Sequence, residues 1–208
     1  MTARLFPYEH ATLLQRVLIV GRPYICPPRP LHEAIPPGSS VLDIGSGMGL
    51  LLVGLAKAGA IARGVGCDPN EKAVSVARQA SGKMNGAALT FLTTRSDDDI
   101  PDGPFDVVTV VDVMHHVPPA GQEAFFAAAV DRVRPGGLLV YKDMTQSPWW
   151  MNWGNRLHDL VLARQWIHYV SLETVKRWSS ARGLSLVNEA RYSRFWYGHE
   201  LLVFSKAA

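Results

Sequence analysis

Three glycines at alternate positions, Gly45, Gly47 and Gly49, separate the apolar run Val41-Leu42-Asp43-Ile44 from Leu50-Leu51-Leu52-Val53-Gly54-Leu55-Ala56. A strand that runs into such a turn and then into a buried helix gives the backbone conformations closed to other residues and leaves free N–H groups at a helix N-terminus. A ligand fits there. Ser46 lies inside the loop, and Asp43, at the strand end, can serve an ammonium directly or through water. Asp68-Pro69 ends the next apolar run, where a carboxylate can accept both hydroxyl hydrogens of a ribose. A second polar group could move protons: Asp112, His115 and His116 after a later apolar run, Asp143 after another, and His158 beyond it. Histidine titrates near neutrality without help, so His115 is the first choice of base, with Asp143 a further catalytic candidate and His116 structural.

The loop discriminates between ligands. A dinucleotide fingerprint needs G-x-G-x-x-G, but position 50 is Leu and the third glycine comes one place early. The phosphate-binding G-x-x-x-x-G-K-[ST] is absent. With no pyrophosphate to cradle, the pattern points to a nucleoside carrying a charged amino-acid tail.

Alternating strand and helix patterns must position these residues, which implies a mostly parallel sheet with helices on both faces. Strands are expected near 40–44, 61–67, 87–93, 105–111 and 138–141, with helices after Gly49, over 71–80, and from about 120 to Arg134, stopped by Pro135-Gly136-Gly137. Two helices are expected at about 152–167 and 171–182, then a hairpin of strands near 184–195 and 199–205 that adds an antiparallel strand. Residues 9–20 have the spacing of an amphipathic helix. That helix reads as a cap on the core or the ligand entrance, with a membrane-surface or partner-docking role as the alternative. Arg22 to Pro30 holds so many prolines that a stiff extended connector is expected. The domain reading is therefore 1–35 as helix and Pro-rich connector, and 36–208 as one α/β domain.

The 208 residues, 48% of them apolar, suffice for one full core. With 21 basic against 18 acidic residues, scattered rather than blocked, charge gives little support to a nucleic-acid partner. Cys26 and Cys67 form neither a C-x-x-C motif nor a cluster with histidine, so no structural metal or disulfide framework is expected and a reduced, cytoplasmic setting fits. No apolar stretch is long enough to span a bilayer.

Together these motifs resemble the class I S-adenosylmethionine (SAM)-dependent methyltransferases. The resemblance rests on Val41–Gly49, Gly66-Cys67-Asp68, Phe105-Asp106-Val107-Val108 leading to Asp112-Val113-Met114-His115-His116-Val117, and Arg134-Pro135-Gly136-Gly137. It implies a Rossmann-like doubly wound sheet of seven strands, one of them antiparallel, and SAM as cofactor. The implied cofactor residues are Asp43, Gly45, Ser46, Gly47, Gly49, Asp68, Pro69 and Asp112, the last at the methionine end. An acid after the third strand often takes the adenine amino group in this family. Here Arg95-Ser96 replaces the usual Gly-Asp, which leaves Ser96 and Asp97 as the adenine candidates.

Nucleobase-amino methyltransferases generally carry an Asn/Asp-Pro-Pro-Tyr motif where this chain has Asp-Val-Met-His-His, which disfavours DNA and makes RNA a weaker choice. The family usually builds its substrate lid late in the domain, here about 146–182. All six tryptophans lie within residues 149–196, so Trp149, Trp150, Trp153 and His158 are the substrate candidates and a small apolar or aromatic acceptor is expected. Core packing explains such tryptophans equally well. An RNA or protein methyltransferase, or a non-catalytic SAM-binding module, is the alternative.

Overall fold

The computed structural model describes residues 6–84, 86–144, 168–194 and 197–208. Seven strands form one sheet: β1 (Ser39–Ile44), β2 (Ile61–Asp68), β3 (Ala88–Thr93), β4 (Phe105–Val111), β5 (Val133–Met144), β6 (Leu184–Arg194) and β7 (Tyr197–Lys206). Their order is β3-β2-β1-β4-β5-β7-β6. The first five neighbours pair in parallel, and β7 runs antiparallel to both β5 and β6. The expected doubly wound sheet with one reversed strand is what forms. The order steps outward from β1 in both directions, so a crevice opens at the carboxyl ends of β1 and β4, where ligands bind in open α/β sheets.

Among the described residues six helices cover the sheet: α1 (Leu13–Ile25), α2 (Arg29–Glu33), α3 (Leu50–Lys57), α4 (Glu71–Ser81), α5 (Pro119–Asp131) and α6 (Leu172–Ala181). Because side chains alternate along a strand, each central strand feeds two cores. Leu42, Val108, Leu139 and Tyr141 pack with Phe126, Leu172 and Val175 from α5 and α6. Val41, Val107 and Val140 pack with Ile19, Leu31, Leu52, Leu55, Val74 and Ala77 from α1 to α4. Strands apolar almost throughout, such as Phe105-Asp106-Val107-Val108-Thr109-Val110-Val111, follow from burial on both faces.

Two expectations are corrected. The Arg22–Pro30 stretch is not an extended connector: α1 continues through Pro23 to Ile25, and α2 begins at Arg29 with Pro28 before it and Pro30 in its first turn. Proline costs little in a first turn, and at Pro23 helix packing outweighs the lost hydrogen bond. The helix expected to reach Arg134 stops at Asp131, and Pro135-Gly136-Gly137 lies within β5, where the pairing with β4 shifts register. Gly136 takes a positive φ of 71°, and a side chain on Gly137 would meet the Asp106 carbonyl at 2.8 Å. The motif thus shapes an irregular strand start rather than a helix end. The helix expected at about 152–167 lies outside the described residues.

Candidate active site

The three loop glycines are there for different reasons. All have positive φ: 78° at Gly45, 52° at Gly47 and 74° at Gly49. A Cβ on Gly45 would sit 2.1 Å from Val113 Cγ2, and one on Gly49 would sit 2.6 Å from the Phe91 ring. Gly45 and Gly49 are therefore glycines because protein packs against them. At Gly47 the only neighbour within 4 Å among the described residues is a carboxylate oxygen of Asp68, at 4.0 Å. That open face is where a ligand can approach the backbone.

Asp68, at the end of β2, accepts hydrogen bonds from the Gly47 amide at 2.8 Å and from the Asn70 amide at 2.8 Å. One oxygen is engaged by the loop and the other by the start of α4, so the carboxylate is held at the loop mouth with a further lone pair on each oxygen. Pro69 beside it is exposed. The Ser46 hydroxyl is buried with no hydrogen-bond partner among the described residues, which is unusual for a buried polar atom.

Asp43 is 3% exposed and accepts a 2.6 Å hydrogen bond from Thr109 on β4. Burial pushes its carboxyl up to about 7, against the Thr109 hydrogen bond, which favours the ionised form. A group so poised ionises when a cation arrives.

Asp112 follows β4 with φ 55°, a left-handed conformation uncommon outside glycine. Its carboxylate meets Lys142 Nζ at 2.6 Å and Arg22 of α1 at 2.9 Å. Burial works against its charge, but Lys142 and Arg22 outweigh burial and hold it well below the usual carboxylate range. The Lys142 side chain is fully buried, whereas Arg22 is 45% exposed.

His115 and Asp143, separate candidates in the sequence, come together in the structure. His115 Nδ1 lies 2.5 Å from Asp143 Oδ1, with the two side chains 2% and 8% exposed. The Met144 amide donates to the same oxygen at 2.8 Å, and the Tyr141 hydroxyl reaches the other at 3.4 Å. An ionised carboxylate on Nδ1 requires a proton there, which places the basic lone pair on Nε2. The 3-10 turn Met114–His116 carries this histidine, and Val113 just before it is the side chain packed on Gly45. His116 is exposed.

The loop after β3 forms a 3-10 turn over Asp97–Asp99. Asp99 caps it through the amides of Arg95 and Ser96 at 2.7 and 3.2 Å, and Ser96 and Asp97 are exposed. The Thr94 amide donates to the Asp68 carbonyl at 3.2 Å, so this loop adjoins the ribose candidate. Trp149, Trp150, Trp153 and His158 lie outside the described residues. Three contributors were not anticipated: Arg22, Lys142, and Tyr8, whose hydroxyl donates to the Met48 carbonyl of the glycine loop at 3.1 Å. The positive Arg22 and the buried Lys142 sit 90 and 30 residues from their common partner, so no local pattern announces them.

Sheet, loop and acidic residues define a class I SAM-dependent methyltransferase domain. A methyltransferase-domain family model matches residues 21–189, and the chain belongs to that family. It is 35% identical over 103 residues to a ubiquinone biosynthesis O-methyltransferase of Paramagnetospirillum magneticum, covering 50% of this chain and 39% of that protein. The corresponding protein of Hahella chejuensis is 33% identical over 135 residues, covering 58% and 54%. The matches thus span about half or less of these relatives' length. Among solved structures, the magnesium protoporphyrin IX methyltransferase of Synechocystis PCC 6803 with bound SAH superposes with a TM-score of 0.72 at 20% identity, over 95% of this chain and 89% of that one. An O-methyltransferase family protein from Burkholderia thailandensis gives 0.73 at 18% identity, over 93% and 58%. At these identities the superpositions show the fold.

Proposed function

We propose that this domain transfers the methyl group of SAM to an oxygen of a small apolar or aromatic molecule. The observation that carries the reading is the buried His115–Asp143 pair at the carboxyl ends of β4 and β5, joined through Val113 to the glycine loop. When bound, SAM supplies an activated methyl on a sulfonium. Its ribose hydroxyls would go to Asp68, its backbone-facing side to the open surface of Gly47, and its ammonium to Asp43. Arg22, half-exposed beside Asp112 and Asp43, is suited to the carboxylate of the amino-acid tail. Ser96 and Asp97 are the adenine candidates.

The protein's own part is alignment, exclusion of water and removal of one proton. His115 Nε2 takes the proton of an acceptor hydroxyl as the oxygen becomes the nucleophile, and Asp143 holds the ring and stabilises the imidazolium. A base that is 2% exposed favours an acceptor enclosed in the crevice over a polymer lying on the surface. The relatives named ubiquinone biosynthesis O-methyltransferase support an oxygen acceptor on an aromatic, lipophilic ring.

The test is a methyl-transfer assay with SAM against catechols, phenols, carboxylic acids, total RNA and protein extract, read by mass. Transfer to a catechol or phenol is expected. His115→Gln and Asp143→Asn should each lower turnover by about 100-fold or more, the usual contribution of general-base catalysis, with SAH affinity kept within about threefold. Normal turnover in both variants, or methylation confined to RNA or protein, overturns the reading.

A further inference from the structure

Gln122 stands where α5 should be apolar. The helix buries one stripe, Gln122, Phe125, Phe126, Ala129 and Val130, whose spacing is that of a core-facing side, and a leucine in the first place would cover the core as the others do. The amide is 7% exposed. Burying such a group without partners is unfavourable, so its partners say what it is for. Nε2 donates to the carbonyls of His168 at 2.9 Å and Val117 at 3.1 Å, and lies 3.4 Å from that of Met114. All three are acceptors, so the amide nitrogen and not its oxygen must face them, and its two N–H groups are shared among three carbonyls.

Met114 begins the 3-10 turn that carries His115, and Val117 follows it, so one side chain grips this turn at both ends. The third partner closes a ring of contacts: the His168 carbonyl accepts from Gln122 while the His168 amide donates to the His115 carbonyl at 2.8 Å. The turn's own bonds, from the His116 amide to the Val113 carbonyl and from the Val117 amide to the Met114 carbonyl, fix its shape but not where it stands. Its place is set from outside, by Val113 against Gly45 and by the contacts with Gln122 and His168. That place matters because His115 Nδ1 meets Asp143 Oδ1, on β5, at 2.5 Å, and such a bond weakens steeply as distance and angle depart from the optimum. We propose that Gln122 is a positioning residue for the base: its amide fixes the turn so that the His115 ring meets Asp143. The proposal rests on the reading of His115 as the base, but the contact it concerns can be observed without any acceptor.

Proton NMR of the full chain supplies that observation. The His115 Nδ1–H, buried against a carboxylate, should give a downfield, slowly exchanging resonance in the wild type that is missing from His115→Gln. Gln122→Met keeps the bulk and removes the donors. It should shift that resonance or broaden it beyond detection, lower kcat by about tenfold or more, toward the ~100-fold that a misplaced group can cost, and leave SAH affinity within about threefold. Val130→Ala is the comparison for stability alone: it opens a cavity about two turns further along the same stripe and should keep the resonance and kcat despite a lower unfolding midpoint. Gln122→Asn, which withdraws the amide by one methylene, should resemble Gln122→Met and stands in for it if that variant fails to fold. An unchanged resonance in a folded Gln122 variant, the same loss in Val130→Ala, or a wild type without the resonance overturns the proposal; failure of both Gln122 variants to fold would make the residue structural instead. A wild type that transfers no methyl group while the resonance behaves as expected would support the positioning and overturn the reading of His115 as a base.

Discussion

Asp112→Asn isolates the charge at the centre of the Arg22–Asp112–Lys142 cluster. Asparagine tolerates the left-handed conformation that Asp112 adopts at φ 55°, so the backbone need not change. What changes is that Lys142, fully buried and 2.6 Å from the lost carboxylate, is left without its ionic partner. Breaking one side of a buried pair costs about 3–5 kcal/mol. Arg22, 45% exposed, regains water and adds little. For a domain of this size each kcal/mol moves the midpoint by about 2–4 °C, so a fall of roughly 6–20 °C is expected. Thermal unfolding followed by circular dichroism at pH 7 measures it. Asp112→Asn/Lys142→Met removes both ions and should recover most of the loss, since a buried pair often does no better than well-packed apolar groups. Acid adds a second reading. Because Asp112 is held below its unfolded value, its stabilisation is present above about pH 4 and is lost as pH falls toward the folded value. Wild type should therefore lose stability below that point more steeply than the double variant. A midpoint shift under about 2 °C in Asp112→Asn, or a double variant no better than the single, refutes the reasoning.

The loop glycines should separate packing from binding. Gly45→Ala should destabilise by about 2–5 kcal/mol in denaturant titration, combining left-handed strain with overpacking, because its Cβ falls 2.1 Å from Val113. Gly47→Ala should cost only the strain, about 1–2 kcal/mol, yet weaken SAH binding by isothermal calorimetry more than tenfold; an equal loss of stability in both would deny that Gly47 faces a ligand. Asp68→Ala should weaken SAH by roughly 1.5–3 kcal/mol, the cost of losing charged hydrogen bonds, and micromolar binding of a nicotinamide dinucleotide with none of SAH would contradict the loop assignment. Asp43, raised to about 7, is neutral in the fold where the unfolded chain is ionised. Stability should therefore fall from about pH 4 up to pH 7, by at most about 4 kcal/mol, and level off above. Asp43→Asn should flatten that slope, and SAM binding at pH 7, measured in buffers of different ionisation enthalpy, should release about half a proton in wild type and none in the variant.

The parts legible in the sequence were those written in local pattern. Strand and helix periodicity gave the five parallel strands, and the short link before His199 gave the hairpin and its reversed strand. The Asp43–Gly49 loop and Asp68 could be read because a glycine turn between a strand and a helix has few other uses, and His115 and Asp143 because each follows a strand at the ligand end of the sheet. Proline content misled at Pro23 and Pro135, since tertiary contacts can outweigh a missing amide at a helix end or an irregular strand start. The spacing of 13, 14, 17 and 18 announced an amphipathic helix but not that its apolar side faces outward. Arg22, Lys142 and Tyr8 were invisible for a common reason: each is defined by a partner far along the chain, and a lone Arg, Lys or Tyr carries no mark of it.

The position of β7 has a consequence for how the molecule comes into being. Residues 197–206 insert between β5 and β6, so the last strand in chain order fills an interior place in the sheet. Until those residues have been synthesised, β5 has only β4 beside it, and Leu201 and Glu200 are missing from alongside Lys142 and Asp143. The nascent chain can form the glycine loop from β1, β2 and α3 early. It cannot finish the strand that holds Asp143 against His115 until late, so the growing polypeptide acquires its glycine loop before its His115–Asp143 contact.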